Sequence, residues 1–232
     1  MKTIIAIPTY NEFGNIDNLI ESIASETADL DILFIDDNSS DGTLELIKKH
    51  MMVNNKIKLI LNMKKMGVGS AHLDAINYAY TNNYEILITM DADFTHHPSY
   101  INSMIGAMGD NHIVIGSRHE KKDSIASWPL FRKLLTLAAY FFTKYLLKIN
   151  FDATSGFRLY NLNQINSNFF NNIKSKGYSF FIETSFIFNE TLTVKTLPID
   201  MPIRFAEKSK MKINDMIATV LLMLKLFFKK FN

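Results

Sequence analysis

The 232-residue chain is 47% hydrophobic and 21% charged, which supports one large buried core and excludes a disordered chain. Its formal net charge of +2 leaves no footprint for nucleic acid. The absence of cysteine excludes disulfides and thiolate metal sites.

Residues 2–8 are apolar and β-branched and predict a first strand; they turn polar too soon for a signal peptide. Ile16, Leu19, Ile20 and Ile23 recur at helical spacing within 15–25. Residues 31–36 read as a second strand, and Asp41 can cap a helix over 43–50. A third strand over 56–61, a helix over 68–81 and a fourth strand over 84–90 follow. Pro98 opens a helix reaching Met108, and 113–116 makes a fifth strand. This alternation predicts an α/β fold with a mainly parallel, doubly wound sheet flanked by helices. After Arg118 the pattern changes: 119–127 reads as a loop, 128–148 as a long helix, 181–190 as a helix and 194–197 as a strand. No segment has the ~18–20 uninterrupted apolar residues of a membrane span, although 134–147 and 216–224 come partway. Those two read as core helices or, with their basic ends, as helices lying on an anionic membrane surface. The second reading makes 213–232 an amphipathic C-terminal helix following a domain over 1–212.

In doubly wound sheets ligands sit beyond the carboxyl ends of the strands. Polar residues gather at each such end: Pro8-Thr9-Tyr10-Asn11-Glu12, Asp36-Asp37-Asn38, the segment 62–69, Asp91-Ala92-Asp93 and Gly116-Ser117-Arg118. Asp91 and Asp93 stand one residue apart at a strand end, where alternation can aim both carboxylates one way. Such a pair suits one Mg²⁺ or Mn²⁺, with positions left for the phosphate oxygens of a substrate. Other motifs are weaker. Asp91-Ala92-Asp93-Phe94-Thr95 also fits haloacid-dehalogenase-type phosphatases, but that motif follows a first strand and here it follows a fourth. A calcium loop starting at Asp37 fails because its twelfth position is Lys48. Gly67-Val68-Gly69 lacks the third glycine of a dinucleotide fingerprint and leaves a helix start open to an anion. His96 and His97 read as supporting or surface groups, since a hard cation prefers oxygen.

In order along the chain, these strand-end motifs, with His96-His97-Pro98, resemble the family 2 glycosyltransferases. More closely, they are similar to the dolichyl- or polyprenyl-phosphate mannose synthases. The resemblance continues through Trp128, Arg132, Ser155-Gly156-Phe157-Arg158-Leu159-Tyr160 and Gly177-Tyr178-Ser179-Phe180, and so spans most of the chain. It implies a GT-A fold and inverting transfer of a sugar from a nucleotide sugar, typically GDP-mannose, to a lipid phosphate. It implies that Pro8, Tyr10, Glu12, Ile35 and Asp37 hold the nucleotide. Asp91, Ala92 and Asp93 match the donor and metal site, with Thr95 as a further metal ligand. Arg118 matches a phosphate-contacting arginine, and Arg132 and Thr136 fall in the phosphate region. The chain departs from the family at 204–210, where Arg204, Lys208 or Lys210 would replace a missing basic motif. It departs again after Arg132, where Leu137-Ala138-Ala139-Tyr140 replaces a run of small residues.

An ionised acceptor phosphate needs positioning rather than a strong base, and Arg132 and Lys210 are the basic candidates to hold it. A sugar hydroxyl would need a general base, with Glu183 or Asp93 the first candidates. That alternative is an enzyme of surface polysaccharide or glycolipid synthesis; a non-catalytic nucleotide-sugar-binding protein is more remote. The expected partners are a nucleotide sugar, a lipid phosphate and the cytoplasmic face of a membrane, met peripherally or through an anchoring protein.

Overall fold

The computed structural model describes residues 1–27, 29–202 and 213–231, the side chains of 230 and 231 excepted. Lys210, with Arg204 and Lys208, lies outside the described residues.

The strands are β1 (Thr3–Thr9), β2 (Asp31–Asp36), β3 (Ile57–Leu61), β4 (Ile86–Thr89), β5 (Ile113–Ser117), β6 (Arg158–Asn161) and β7 (Val194–Pro198). The helices are α1 (Phe13–Glu26), α2 (Thr43–Val53), α3 (Val68–Thr81), α4 (Ile101–Met108), α5 (Leu130–Phe141), α6 (Ser179–Thr191) and α7 (Ile213–Phe231). One seven-stranded sheet runs in the order β3-β2-β1-β4-β6-β5-β7. All neighbours pair in parallel except β6, which is antiparallel to both β4 and β5.

The central strands read as unbroken apolar runs because both their faces are covered. Ile4 and Ala6 of β1 point into one core with Ala71, Ala75 and Ile76 of α3 and Phe180 and Phe188 of α6. Met223 and Leu226 of α7 join that core. Ile5 and Ile7 point the other way, onto Ile16, Leu19 and Ile23 of α1 and Ile101 and Met104 of α4. The helical spacing noted for α1 is therefore its buried stripe. The helix expected from Pro98 begins as a 3₁₀ turn over Pro98–Tyr100 before α4, with the His97 ring accepting from the Ser99 N–H. The long helix expected over 128–148 is α5 extended by a π-helical turn over Phe142–Leu146.

Strand β6 has no counterpart in the sequence reading. It is four residues long and begins with Arg158, which is wholly buried. The guanidinium donates to Ser155 O (2.7 Å), Thr184 Oγ1 (2.7 Å), Phe181 O (3.0 Å), Ser185 Oγ (3.0 Å) and Ala153 O (3.3 Å). Its carbon lies 5.2 Å from the Phe181 ring centroid and 5.8 Å from that of Phe188. Neutral oxygens and ring faces thus take the place of a carboxylate partner among the described residues.

Candidate active site

The exits of β1 and β2 are sewn together. Asn11, at φ +55°, donates its N–H to Ser39 Oγ (2.8 Å) and accepts from Ser40 N (2.9 Å); Glu12 N donates to Thr43 Oγ1 (2.8 Å). The two aspartates that follow have different jobs. Asp36 is wholly buried and accepts from Thr9 Oγ1, Ser39 N and Ser39 Oγ, so it builds the turn. Asp37 accepts from Asn62 Nδ2 (3.0 Å), Met66 N (3.1 Å) and Gly67 N (3.2 Å), and ties the 62–67 loop to this end of the sheet. Lys65 of that loop sits 4.0 Å over the Tyr10 ring, a cation that the sequence did not suggest. Pro8, Tyr10, Glu12 and Asp37 are thereby brought together. Ile35 stands beside Pro8 in the β1–β2 register, with its side chain wholly buried in the core.

The glycines at the start of α3 serve packing. A Cβ on Gly69 would come within 2.6 Å of Phe180 Cβ and 2.9 Å of Gly177 O, and one on Gly67, at φ +96°, within 2.7 Å of Lys176 O. The backbone at 176–177 makes a close approach here, and Lys176 O accepts from Ser70 N (3.1 Å).

At the β4 exit Asp91 is partly accessible (35%) and Asp93 is buried. The Asp91 N–H donates to His96 Nδ1 (3.0 Å), which assigns the His96 proton to Nε2. Burial pushes the His96 pKa down, against the opposing pull of Asp91 and Asp93, so the ring is neutral. It stacks on Phe157 with centroids 5.2 Å apart. Asp93 Oδ1 accepts from Thr95 N (3.1 Å) and Thr95 Oγ1 (2.6 Å), in a turn that holds Phe94 at φ +59°. A positive φ at an aromatic residue is costly and is kept only where surrounding bonds enforce it. The donors for a cation here are the carboxylate oxygens of Asp91 and Asp93 and the lone pairs of Thr95 Oγ1. That all-oxygen set fits Mg²⁺ or Mn²⁺. No group of three His, Cys, Asp or Glu residues suited to a metal exists among the described residues.

The β5 exit carries Arg118. Its Nε donates to Asp152 Oδ2 (2.8 Å), and Asp152 is 1% exposed. Burial works to raise the Asp152 carboxyl, but Arg118, His119 and the Thr154 bonds outweigh it and leave the pKa below the ordinary value. His119 Nε2 lies 3.8 Å from the same Oδ2, and its ring stacks on Tyr140 of α5 at 4.0 Å. Arg118 lies 5.9 Å and Arg132 3.7 Å from the centroid of the buried Trp128, whose Nε1 donates to Met201 O (2.9 Å). The two arginines named from sequence therefore share one indole. Thr136 is half-buried on the same helix. Glu183 accepts the N–H groups of Lys174 and Ser175 (2.8 Å to Ser175), an occupation suited to a turn rather than to a general base.

Sequence reasoning missed Asp152. The signal was there as a repeated pattern. Asp41-x-Thr43, Asp93-x-Thr95 and Asp152-x-Thr154 all form the same turn, in which one carboxylate oxygen accepts both the N–H and the hydroxyl of the threonine. The turn leaves Oδ2 to a partner outside it: Phe13 N for Asp41 and Arg118 for Asp152.

A family model described as Glycosyl transferase family 2 matches residues 4–166. An undecaprenyl-phosphate mannosyltransferase of Micrococcus luteus is 27% identical over 209 residues, covering 90% of this chain and 85% of that protein. A polyprenol monophosphomannose synthase of Mycolicibacterium smegmatis is 28% identical over 211 residues, covering 89% of this chain and 78% of that protein. Among solved structures, glucosyl-3-phosphoglycerate synthase from Mycobacterium tuberculosis, in complex with Mn²⁺, UDP and glucosyl-3-phosphoglycerate, superposes with a TM-score of 0.63. At 14% identity, over 98% of this chain and 79% of that one, the likeness is one of fold.

Proposed function

The chain belongs to glycosyl transferase family 2, and from that membership we propose that it moves a mannosyl residue from GDP-mannose to a polyprenyl phosphate, acting peripherally at the cytoplasmic face of a membrane. It is a hexosyltransferase with a GT-A fold. The observation that carries the choice of acceptor is the placement of Arg132 in the first turn of α5. No α5 residue is buried, and Leu130 and Phe131 beside Arg132 are about 70% exposed, at 71% and 72%. A phosphate-headed lipid needs a cation and an apolar surface side by side, and this helix offers both.

The reaction is one in-line displacement. An oxygen of the acceptor phosphate bonds to the anomeric carbon as the bond from that carbon to the nucleoside diphosphate breaks, inverting the configuration. Arg118 donates to the departing diphosphate, and Arg132 holds the ionised acceptor. Asp91, Asp93 and Thr95 would hold a Mg²⁺ or Mn²⁺, which would supply charge neutralisation at the leaving group. Pro8, Tyr10, Glu12 and Asp37 line the nucleotide side, with Ala92 buried between the two aspartates. A phosphate nucleophile asks for no general base, which agrees with the engagement of Glu183 in a turn.

The test is incubation with labelled nucleotide sugars and a short polyprenyl phosphate, with saccharide acceptors in parallel. An acid-labile mannolipid is expected; transfer to saccharides alone overturns the reading.

Among the described residues no helix is long and apolar enough to cross a membrane. We place the membrane contact on α5 and on the outward face of α7, where Ile217, Leu221 and Phe228 are exposed. Lys225 and Lys229 of α7 suit an anionic surface. Phe131→Glu with Leu134→Glu is expected to weaken binding to anionic lipid vesicles by roughly tenfold or more. The melting temperature stays unchanged, since neither side chain is buried. Undiminished flotation with vesicles would move the contact elsewhere.

A further inference from the structure

We propose that Asp152 is a positioning residue that aims Arg118 at the diphosphate of the donor, an inference that rests on the glycosyltransferase reading above. Both Asp152 oxygens are committed. Oδ1 is fixed by Thr154 N (3.1 Å) and Thr154 Oγ1 (2.9 Å), and Oδ2 takes Arg118 Nε side-on at 2.8 Å. Bound at Nε, an arginine keeps its terminal nitrogens as a fork directed away from the carboxylate, the geometry that phosphate oxygens accept bidentately.

The support behind Asp152 is stiff. Arg158 donates to Ala153 O and Ser155 O, and Ser185 Oγ donates to Ala153 O (3.2 Å). Gly156 O accepts from Thr89 Oγ1 (2.8 Å) at the last residue of β4, and Phe157 backs the His96 ring that holds Asp91 N. Segment 152–157 therefore touches both halves of the site: Arg118 through Asp152, and the Asp91 loop through Phe157. It fixes where the arginine stands relative to the two carboxylates.

A second role for Asp152, simple neutralisation of Arg118, predicts the opposite sign. Removing a carboxylate that only cancels charge strengthens anion binding; removing one that aims the fork weakens it. Asp152→Asn keeps the size and an oxygen for Thr154, but turns an amide N–H₂ or a neutral oxygen toward Arg118.

The experiment is calorimetric titration with GDP and UDP in the presence of Mn²⁺, with guanosine and uridine as controls. Asp152→Asn is expected to weaken the better-bound diphosphate by roughly tenfold or more while leaving its nucleoside unchanged. Arg118→Ala is expected to lose as much, and the double variant no more than either alone. Tighter or unchanged diphosphate binding in Asp152→Asn overturns the proposal. So does an equal loss of nucleoside and diphosphate, or an additive loss in the double variant. Should Asp152→Asn fail to fold, Arg118→Lys reads the same geometry: lysine keeps a charge beside Asp152 without the fork, and wild-type affinity there overturns the proposal. Absence of diphosphate binding by the wild-type protein overturns the glycosyltransferase reading itself.

Discussion

Replacing Asp93 with alanine is expected to lower sugar transfer by about three orders of magnitude. The carboxylate has two duties. It is one of two acidic oxygen donors at the end of β4, and its Oδ1 holds the Thr95 turn on which the positive φ of Phe94 depends. Charge stabilisation at a leaving diphosphate by a bound cation is worth several kcal/mol, and each ~1.4 kcal/mol is a factor of ten in rate. Asp93→Asn separates the duties. It keeps an oxygen for Thr95 and removes the charge, so its activity falls comparably while its melting temperature holds near the wild type. Asp93→Ala loses both. Initial rates over a Mn²⁺ series, with melting curves alongside, decide the matter. A wild-type rate in Asp93→Asn removes Asp93 from the cation site.

The largest effect on stability is expected at Arg158. Methionine there fills similar space but strands Ser155 O, and takes from Ala153 O, Phe181 O and the two α6 hydroxyls a donor they share. Each buried acceptor left without its donor costs about 1–3 kcal/mol. Removal of a buried charge from a low dielectric offsets part of that sum. A net loss of about 3 kcal/mol follows, or a fall of about 10 °C in melting temperature for a chain of this size. Arg158→Lys retains the charge with fewer donors and is expected to fall between. A melting temperature for Arg158→Met within about 2 °C of wild type shows that the charge and its bonds cancel.

The first half of the fold was legible because its signals are local. Ile4-Ile5-Ala6-Ile7 is a strand buried on both faces, and Ile16, Leu19, Ile20 and Ile23 mark one helical stripe. Strand ends in such a sheet are where polar residues are tolerated, so Tyr10, Asp37, Asp91 and Arg118 could be named before the sheet was seen. β6 was hidden because its first residue is an arginine, and a buried arginine is recognisable only through partners far along the chain, Thr184 and Ser185 among them. Asp152 showed its Asp-x-Thr turn in the sequence, but that it holds Arg118 was hidden for the same reason, the two lying 34 residues apart. Ile35 shows a different balance: its side chain goes to the core, as an apolar residue in a central strand must, and its backbone runs beside Pro8 at the sheet end. The paired glycines at 67 and 69 could not be told apart from an anion cradle without the backbone of 176–177 against them.

The antiparallel strand also dictates an order of assembly. β1 with β2 and β2 with β3 pair across one helix each, whereas β1 meets its second neighbour β4 only further along, and Ile86 of β4, beside Thr3 on one side, must wait for Asn161 on the other, as Ile113 of β5 waits for Tyr160 and Val194. Closing a longer loop costs more entropy before any contact repays it, and pairings distant in sequence form slowly. On a ribosome the N-terminal strands are also released first. The joined exits of β1 and β2 thus have their partners early, and Arg118 acquires its carboxylate late. During synthesis the turns that join the exits of β1 and β2 can therefore close before the Arg118–Asp152 pair exists.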